Sequence, residues 1–512
     1  MNNLAKIFSA ELEGIDARLI EVEVDLHAGL HAFNIVGLAD KALSEAKERV
    51  NSAVKNSGAK PPNRDNRKIT VNLAPADVKK TGSHYDLAIA IGYLLATKQL
   101  KEFNTADKIF VGELALTGNL RPVSGALSIT ELAARLGFAA VFLPRINAAE
   151  AAAIPGVRII PVENLSELIG ILEGRLPEPA APKDTGGPES ENAQVDFSSV
   201  HGQENAKRAM KIAAAGGHNL LMVGPPGAGK SLMAKALAGI LPELTLAESV
   251  EITKIWSAAG ILRGGLVKTR PFRAPHSSAS GIAILGGGAN PKPGEISLAH
   301  RGVLFLDELP EFHRDVLESL RQPLENGEVM VARAKQSLLF PAKFALVAAM
   351  NPCPCGYFGD PERVCRCSAN EVFRYQKKIS GPLLDRIDLQ ITVPRIDVLE
   401  LREKKGGGSE GSAKIKEAVA RAREIQRARF KKLGQPVYTN AEMSSKDCDQ
   451  LITLDNESEN FLKNALENTF ISARGYYRVL KTARTIADLE GSEKVKKPHL
   501  AEAFGYRLRA KE

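Results

Sequence analysis

The sequence predicts an α/β protein of several domains, and three observations support this. Short β-forming runs alternate with helical runs before residue 175 and again between residues 196 and 395. Residues 176–195 are rich in proline, glycine and charge, as flexible linkers are. From residue 396 to 512 the chain is mostly helical and basic. A chain of 512 residues is too long for one ordinary core, so two to four domains are expected.

Composition narrows the classes of protein. With 44% apolar and 5% aromatic residues, the chain is typical of a globular protein. It contains no run of about 18 apolar residues, and its N-terminus lacks the long apolar region of a signal peptide. We therefore expect a cytoplasmic protein without a membrane partner. A net charge of +8 permits a polyanionic partner but does not establish one.

The elements of the two outer regions follow from residue type and periodicity. In residues 1–175, β-forming and helical runs alternate, which predicts an α/β domain. The β-forming runs are residues 17–24, 68–73 and 140–143, and the helical runs are residues 41–54, 86–96 and 128–136. In the C-terminal region, apolar residues at helical spacing predict one helix that packs on a neighbour. These residues are Ile415, Val419, Ala422 and Ile425.

Residues 224–231 (GPPGAGKS) fit the pattern G-x-x-x-x-G-K-[ST], between an apolar strand and a helix-forming run. Glycines let the backbone approach a polyphosphate closely, and N–H groups at a helix start bind its oxygens. Lys230 would pair with the β- and γ-phosphates, and the Ser231 hydroxyl would bind Mg²⁺. The predicted nucleotide-binding residues are Gly224, Pro225, Pro226, Gly227, Ala228, Gly229, Lys230 and Ser231.

Residues 303–308 (VLFLDE) form a buried-strand pattern that ends in two carboxylates. Asp307 is the predicted Mg²⁺ partner, directly or through water, and Glu308 is the candidate to polarise the attacking water. This strand follows the phosphate-binding loop in the order and context of an ATP-hydrolysing site. Together the two motifs predict an ATPase that uses ATP and Mg²⁺.

Three more polar residues fit around these motifs. Asn351 ends an apolar strand and could hydrogen-bond the γ-phosphate or its water, Arg386 lies in a short charged helix-turn, and Arg474 lies near a helix start. Each also has a purely structural interpretation, for example Arg386 as a surface residue paired with Asp385 or Asp388.

In this order the motifs resemble those of the AAA+ ATPases, and more narrowly the branch with the magnesium-chelatase ATPase subunit and the MCM helicases. The whole chain resembles the YifB/ComM family of magnesium chelatase-like proteins. The resemblance rests on residues 200–209 (VHGQENAKRA), 272–280 (FRAPHSSAS), 306–312 (LDELPEF) and 349–357 (AMNPCPCGY). It implies an AAA+ P-loop α/β/α domain at residues 196–395 and a helical lid at residues 396–512.

The resemblance also implies roles for single residues. Asn351 would be the sensor beside the γ-phosphate, Arg386 the arginine finger for a neighbouring subunit's ATP, and Arg474 a second sensor on the lid. An arginine finger supplied between subunits implies a homohexameric ring. The implied function is an ATP-driven motor for DNA branch migration in recombination during natural transformation, with branched or single-stranded DNA and recombination proteins as partners.

Two features leave alternatives open. Residues 327–340 form a hairpin pattern with Arg333 and Lys335 near its tip. Equivalent loops touch nucleic acid in the similar motors, but a solvated turn explains the two residues equally well. Cysteines in a C-x-C-x9-C-x-C pattern could bind one Zn²⁺, form a regulatory disulfide or remain thiols. These are Cys353, Cys355, Cys365 and Cys367.

In the N-terminal region, residues 81–90 and 112–122 resemble the Lon-protease-type domain, whose chemistry needs a Ser–Lys dyad. His84 stands where the serine would be and Leu127 where the lysine would be, and Ser83 is displaced by one residue. We therefore expect a degenerate, non-proteolytic domain. The alternatives to a DNA motor are a chelatase subunit that inserts Mg²⁺ into a porphyrin, an ATP-dependent protease, and a nucleotide-switched scaffold.

Overall fold

The computed structural model describes residues 4–37, 41–64, 66–78, 80–180, 195–262, 264–288, 291–333, 336–395, 411–431, 437–468 and 472–507. The chain forms two compact units. The first unit comprises Met1–Glu189 with Thr245–Lys268, and the second comprises Ser190–Leu244 with Thr269–Glu512.

The N-terminal part of the chain alternates strands and helices. Its strands are β1 (Leu4–Glu13), β2 (Asp16–Ala28), β3 (Ala32–Val36), β4 (Arg67–Ala74), β5 (Lys108–Phe110), β6 (Glu113–Leu114), β7 (Leu120–Arg121), β8 (Ala140–Pro144) and β9 (Arg158–Val162). Its helices are α1 (Lys41–Ser44), α2 (Ala46–Asn56), α3 (Asp86–Ala96), α4 (Ala126–Leu136), α5 (Ala148–Ala151) and α6 (Leu165–Leu172).

Seven of these strands form one mixed sheet in the order β3-β4-β2-β1-β5-β8-β9. Strands β4, β2 and β1 pair antiparallel, whereas β1, β5, β8 and β9 pair parallel. Strand β2 buries every second residue, from Ile20 to Leu26, as a strand with one core face should. Helix α3 is buried almost all round, because it is apolar on every face.

The chain from residue 195 onward also contains both strands and helices. The strands are β10 (Leu220–Val223), β11 (Phe272–Arg273), β12 (Gly286–Gly287), β13 (Lys292–Pro293), β14 (Val303–Leu306), β15 (Glu328–Arg333), β16 (Gln336–Pro341), β17 (Ala345–Met350) and β18 (Leu389–Thr392). The helices are α7 (Glu204–Gly216), α8 (Lys230–Gly239), α9 (Leu246–Ala259), α10 (Gly281–Leu285), α11 (Glu295–Leu298), α12 (Arg314–Ser319), α13 (Arg321–Asn326), α14 (Ala369–Gln376), α15 (Gly381–Leu384), α16 (Ser412–Phe430), α17 (Ser445–Leu451), α18 (Asn456–Asn468), α19 (Ala473–Leu489) and α20 (Lys497–Gly505).

Helix α9 packs in the first unit although the sequence on both sides of it belongs to the second. A capping box formed by Thr245 and Glu248 starts the helix. The Ser257 hydroxyl accepts a hydrogen bond from the Gly125 backbone N–H at 2.9 Å, and Lys254 pairs with Glu131. The segment therefore completes the N-terminal fold, which its position in the sequence did not indicate.

The core of the second unit is a five-stranded parallel sheet in the order β11-β14-β17-β10-β18. Its central strands are almost wholly buried, as both faces of a parallel sheet are covered. In the register, Val223 of β10 pairs with Met350 of β17, and Leu306 of β14 pairs with Ala348 of β17. The loops that follow these three strands therefore leave the sheet at the same edge. The prediction of an α/β fold is confirmed.

Helices α16 to α20 continue the second unit. Helix α19 packs on α7, α16 and α20. Helix α16 buries Ile415, Val419 and Ala422, whereas Ile425 is 41% exposed. Among all described residues, no helix combines the length and the apolar character needed to cross a membrane.

Asp388, just before β18, ties this strand to α19. Its carboxylate is 3% exposed, accepts a hydrogen bond from the Asn219 N–H at 2.9 Å and pairs with Arg478 at 2.6 Å. His218 Nδ1 lies 3.7 Å away. Burial raises the pKa of Asp388, but Arg478, His218 and the Asn219 N–H outweigh it, so this pKa lies below its usual range.

Replacing Asp388 with alanine is expected to lower the free energy of unfolding by about 3–5 kcal/mol, since Arg478 loses its buried partner. Calorimetric unfolding of the full chain measures this. Glu457→Ala removes an exposed pair with Lys497 and should cost less than about 1 kcal/mol. Because the folded pKa of Asp388 is lowered, its contribution is complete above about pH 4 and is lost as the pH falls further. Equal losses in the two variants would contradict the prediction.

Candidate nucleotide-binding site

The predicted site residues follow the ends of three neighbouring parallel strands. The phosphate-binding loop follows β10, Asp307 and Glu308 follow β14, and Asn351 follows β17. In open parallel sheets, ligands bind just beyond the carboxyl ends of the strands, in the crevice between the loops that follow those strands. The topology therefore brings these residues to one edge although the sequence separates them widely.

The glycines of the phosphate-binding loop are required by its backbone. A Cβ on Gly224 would collide with the Val393 carbonyl oxygen at the end of β18. Gly227 and Gly229 have φ angles of +79° and +82°, in the left-handed region that favours glycine. A Cβ added to either of these two residues would meet no heavy atom within 4 Å. The loop is thus fixed at Gly224 and open at its tip, as a phosphate cradle must be.

Lys230 begins α8 and is buried. Its Nζ donates to the carbonyl oxygens of Gly224 at 2.7 Å and Pro225 at 2.9 Å, and to Asn351 Oδ1 at 3.2 Å. Burial lowers the pKa of Lys230, while Asp307 and Glu308 oppose that shift. The structure thus brings the phosphate-loop lysine and the strand-end asparagine into direct contact.

Ser231 and Asp307 offer a matched pair of oxygen ligands. The Ser231 hydroxyl donates to Asp307 Oδ2 at 2.6 Å, and Asp307 Oδ1 accepts from the Glu308 N–H at 2.9 Å. Hydroxyl and carboxylate oxygens are the ligands that Mg²⁺ takes beside a nucleotide phosphate. The donor set therefore fits this ion.

Glu308 is exposed and has φ 51° and ψ 47°. Few residues other than glycine adopt this left-handed conformation, and such strain clusters at functional sites. Glu308 directly follows Asp307 at the end of β14.

Arg386 and Arg474 share one partner, Glu325 of α13. Glu325 pairs with Arg386 through one carboxylate oxygen and with Arg474 through the other, the latter at 3.0 Å. Arg386 is 5% exposed and also donates to the Pro382 carbonyl oxygen at 2.8 Å. The structural interpretation of Arg386 as a surface residue paired with Asp385 or Asp388 is therefore wrong in both respects.

The two arginines are not joined to the phosphate-binding loop by any hydrogen bond or ion pair of the described residues. Their common carboxylate, Glu325, carried no sequence signal, because it lies in a short helix outside every motif. Only the folded structure identifies Glu325 as their partner.

The remaining predicted residues lie elsewhere. The hairpin is present, with Arg333 opposite Gln336 in the antiparallel register of β15 and β16. The Arg333 side chain and all of Lys335 lie outside the described residues. The sulfurs of the four clustered cysteines lie within 4.8 Å of one another, and none forms a disulfide.

In the first unit, the residues at the Lon-like positions form a network around Glu11. Thr81 and Tyr85 donate to the Glu11 carboxylate, and His84 Nε2 lies 3.7 Å from it. Ser83 donates instead to Glu113, and Leu127 is fully buried. The described residues at these positions contain no Ser–Lys dyad.

Three family models match the chain. They are magnesium chelatase, subunit ChlI, over residues 196–401, subunit ChlI of Mg-chelatase over residues 22–147, and the subunit ChlI C-terminal model over residues 409–507.

Two curated relatives match this chain almost end to end, and a third matches part of it. Competence protein ComM of Haemophilus influenzae is 44% identical over 99% of this chain and 97% of its own length. YifB of Salmonella typhimurium is 42% identical over 99% of this chain and 97% of its own. The magnesium-chelatase 38 kDa subunit of Rhodobacter capsulatus is 30% identical over 30% of this chain and 50% of its own.

Proposed function

Because the chain belongs to the YifB/ComM family of magnesium chelatase-like proteins, we propose that it is a ring-forming, ATP-driven motor that promotes DNA branch migration during homologous recombination. The observation that carries the ATPase part is the grouping of Lys230, Ser231, Asp307 and Asn351 at one sheet edge. The end-to-end similarity to a competence protein supports recombination of incoming DNA as the setting.

Each residue of the site has a place in ATP hydrolysis. Lys230 exchanges its carbonyl partners for phosphate oxygens, and Asn351 orients the γ-phosphate or its water. Ser231 and, directly or through water, Asp307 would hold Mg²⁺, and the ion would neutralise phosphate charge. Glu308 orients the attacking water and accepts its proton. Most of the catalysis then comes from positioning and fixed charge.

The two terminal regions have supporting roles. Residues 1–175 form a degenerate Lon-protease-like domain that assembles the ring or handles DNA and has no protease activity. Helices α16 to α20 form the lid, which carries Arg474 on the first turn of α19. DNA, further copies of this chain and recombination proteins are the proposed partners, and ATP and Mg²⁺ are the proposed cofactors.

Glu325 holds the two arginines ready for a neighbouring subunit. Its carboxylate binds the guanidinium groups of both Arg386 and Arg474, and Arg386 is buried. A γ-phosphate from the neighbour is a stronger anion of similar size and would replace Glu325 between them. Hydrolysis then depends on contact between subunits, because the arginine that acts on each ATP comes from the neighbouring chain.

Replacing Arg386 with alanine is expected to lower the ATP turnover number about 10³-fold while ATP affinity stays within about twofold. The arginine stabilises transition-state charge on another subunit's nucleotide and does not bind its own. Steady-state hydrolysis and titration with a fluorescent ATP analogue separate the two effects. An exposed arginine outside the site, Arg421 of α16, provides the control Arg421→Ala. Normal turnover by Arg386→Ala would contradict the assignment.

The Glu325→Gln variant tests the exchange itself. The amide keeps the size and an acceptor oxygen but removes the charge that holds the arginines. We expect hydrolysis to reach half its maximum at a lower protein concentration than in the wild type, because the arginines no longer have to leave a carboxylate before they meet the neighbour's phosphate. A fall in hydrolysis at every concentration would mean that Glu325 is needed in the active ring.

The proposed function is tested by ATP hydrolysis with no DNA, single-stranded DNA, duplex DNA and a four-way junction. Strong stimulation by branched or single-stranded DNA, absent in Glu308→Gln, is the expected result, and strand exchange on a labelled junction then measures branch migration. A rate of hydrolysis that is the same with every DNA would overturn the proposal of a DNA motor. Casein digestion and a porphyrin metallation assay test the protease and chelatase alternatives. The chelatase subunit of Rhodobacter capsulatus aligns with 30% of this chain, whereas the competence protein ComM aligns with 99% of it.

A further inference from the structure

The connection between β17 and α14 (residues 351–368) contains no helix or strand. Within it only Cys353 and Gly356 are buried, and Val364 is 89% exposed. Long connections without secondary structure are uncommon in compact domains and are held by something other than an apolar core. This loop nevertheless adjoins the nucleotide-binding site, so its shape matters there.

The four cysteines of this loop have the spacing of a metal tetrahedron. The sulfur of Cys353 lies 3.4 Å from that of Cys355 and 3.7 Å from that of Cys365, and Cys355 and Cys365 are 3.6 Å apart. A disulfide needs about 2.05 Å. Zn–S bonds of about 2.3 Å in a tetrahedron place the sulfurs about 3.8 Å apart. The separations among Cys353, Cys355 and Cys365 are close to this value, and the sulfur of Cys367 lies within 4.8 Å of the other three.

Backbone N–H groups also point at these sulfurs. The Phe358 N–H donates to Cys353 Sγ at 3.3 Å, and the backbones of Tyr357 and Arg366 hydrogen-bond to Cys355. Such bonds stabilise negative charge on sulfur and orient metal ligands from outside. The loop backbone therefore donates hydrogen bonds to two of the four sulfurs.

We propose that Cys353, Cys355, Cys365 and Cys367 bind one structural Zn²⁺ that holds the phosphate-binding loop and Asn351 in their nucleotide-binding positions. Four thiolates select a soft ion and leave no open position for catalysis. The coupling to nucleotide deepens the proposed ATPase function and rests on it, whereas the metal site does not.

Two features connect the cysteine cluster to the nucleotide site. Only Pro352 separates the ligand Cys353 from Asn351, and the Pro352 carbonyl oxygen accepts from Gln376 Nε2 at 3.0 Å. Gly356 directly follows Cys355 and lies against the phosphate-binding loop. A Cβ added at Gly356 would stand 2.5 Å from Pro226 Cδ. The loop of residues 351–368 therefore reaches the nucleotide site through Asn351 and through the contact of Gly356 with Pro226.

The metal is tested on the full-length protein purified without added metal. Elemental analysis should find about one zinc per chain, and thiol modification should release it into a chromogenic chelator. Cys355→Ser and Cys367→Ser should lose it. Cys448→Ala, which removes a cysteine outside the cluster, should keep it. Iron in place of zinc, disulfides between the four cysteines by mass spectrometry, or no metal would each overturn the proposal.

The coupling is tested by nucleotide affinity with two glycine variants. Gly356 and Gly359 have φ angles of +86° and +76°, but only Gly356 touches Pro226. Both alanine variants incur similar backbone strain, so a difference between them reports the contact. Gly356→Ala should bind a fluorescent ATP analogue about tenfold to a hundredfold more weakly, as small misplacements in such sites cost up to about 100-fold. Gly359→Ala should bind it normally.

Each outcome separates the two proposals. Lys230→Ala should keep its zinc while losing nucleotide, since the ion does not depend on ATP. A wild-type chain with zinc but without nucleotide binding would overturn the ATPase and leave the metal site. Normal nucleotide binding by Gly356→Ala and by the zinc-free cysteine variants would overturn the coupling.

Discussion

Replacing Lys230 with alanine is expected to lower the rate of ATP hydrolysis about 10²–10³-fold and to weaken ATP binding at least about 100-fold. The lysine is buried, and its Nζ is held by the Gly224 and Pro225 carbonyl oxygens and by Asn351. It is the one ammonium group placed between the phosphate-binding loop and the strand-end asparagine among the described residues. Loss of one fixed donor at such a site costs about 10²–10³-fold in rate.

The control for this variant lies on the same helix. Lys235 of α8 is exposed, so Lys235→Ala removes an equal charge without touching the site. Titration with a fluorescent ATP analogue and steady-state hydrolysis measure both variants, and calorimetry checks that they fold. Hydrolysis by Lys230→Ala near the level of Lys235→Ala would mean that the nucleotide binds elsewhere.

The sequence predicted the composition of this site because its residues are strand-end residues. Parallel strands end at one sheet edge, so Asp307 and Asn351 were expected near the phosphate-binding loop from their places in the sequence. The 3.2 Å contact of Lys230 with Asn351 and the 2.6 Å contact of Ser231 with Asp307 agree with that expectation. Local motifs sufficed here, since the sheet topology does the rest.

Other features could not be predicted, because they depend on packing between distant segments. Nothing near Glu325 indicates that its carboxylate joins Arg386 to Arg474. Nothing in residues 245–268 indicates that α9 packs on α4 of the N-terminal part. The apolar stripe of α16 is correct for Ile415 but not for Ile425, because the partner surface covers a narrower face than the periodicity suggests.

The Glu308→Gln variant is expected to lose hydrolysis about 10²–10⁴-fold, the usual contribution of a positioned general base. Glutamine has the same length and keeps the turn, but it cannot accept the proton of the attacking water. ATP should bind at least as tightly as in the wild type, because a negative charge beside the γ-phosphate is removed. Lys230→Ala removes binding, whereas Glu308→Gln removes only the chemical step.

The matched control is Glu311→Gln, which removes the charge of an exposed glutamate one short turn further on that pairs with Lys378. Single-turnover hydrolysis with radiolabelled ATP, with and without junction DNA, measures both variants. If Glu308→Gln holds unhydrolysed ATP and DNA together, nucleotide binding alone drives the grip on DNA and hydrolysis drives release. If Glu308→Gln turns over normally, the base lies elsewhere, and the strained φ of 51° at Glu308 serves the fold of the loop alone.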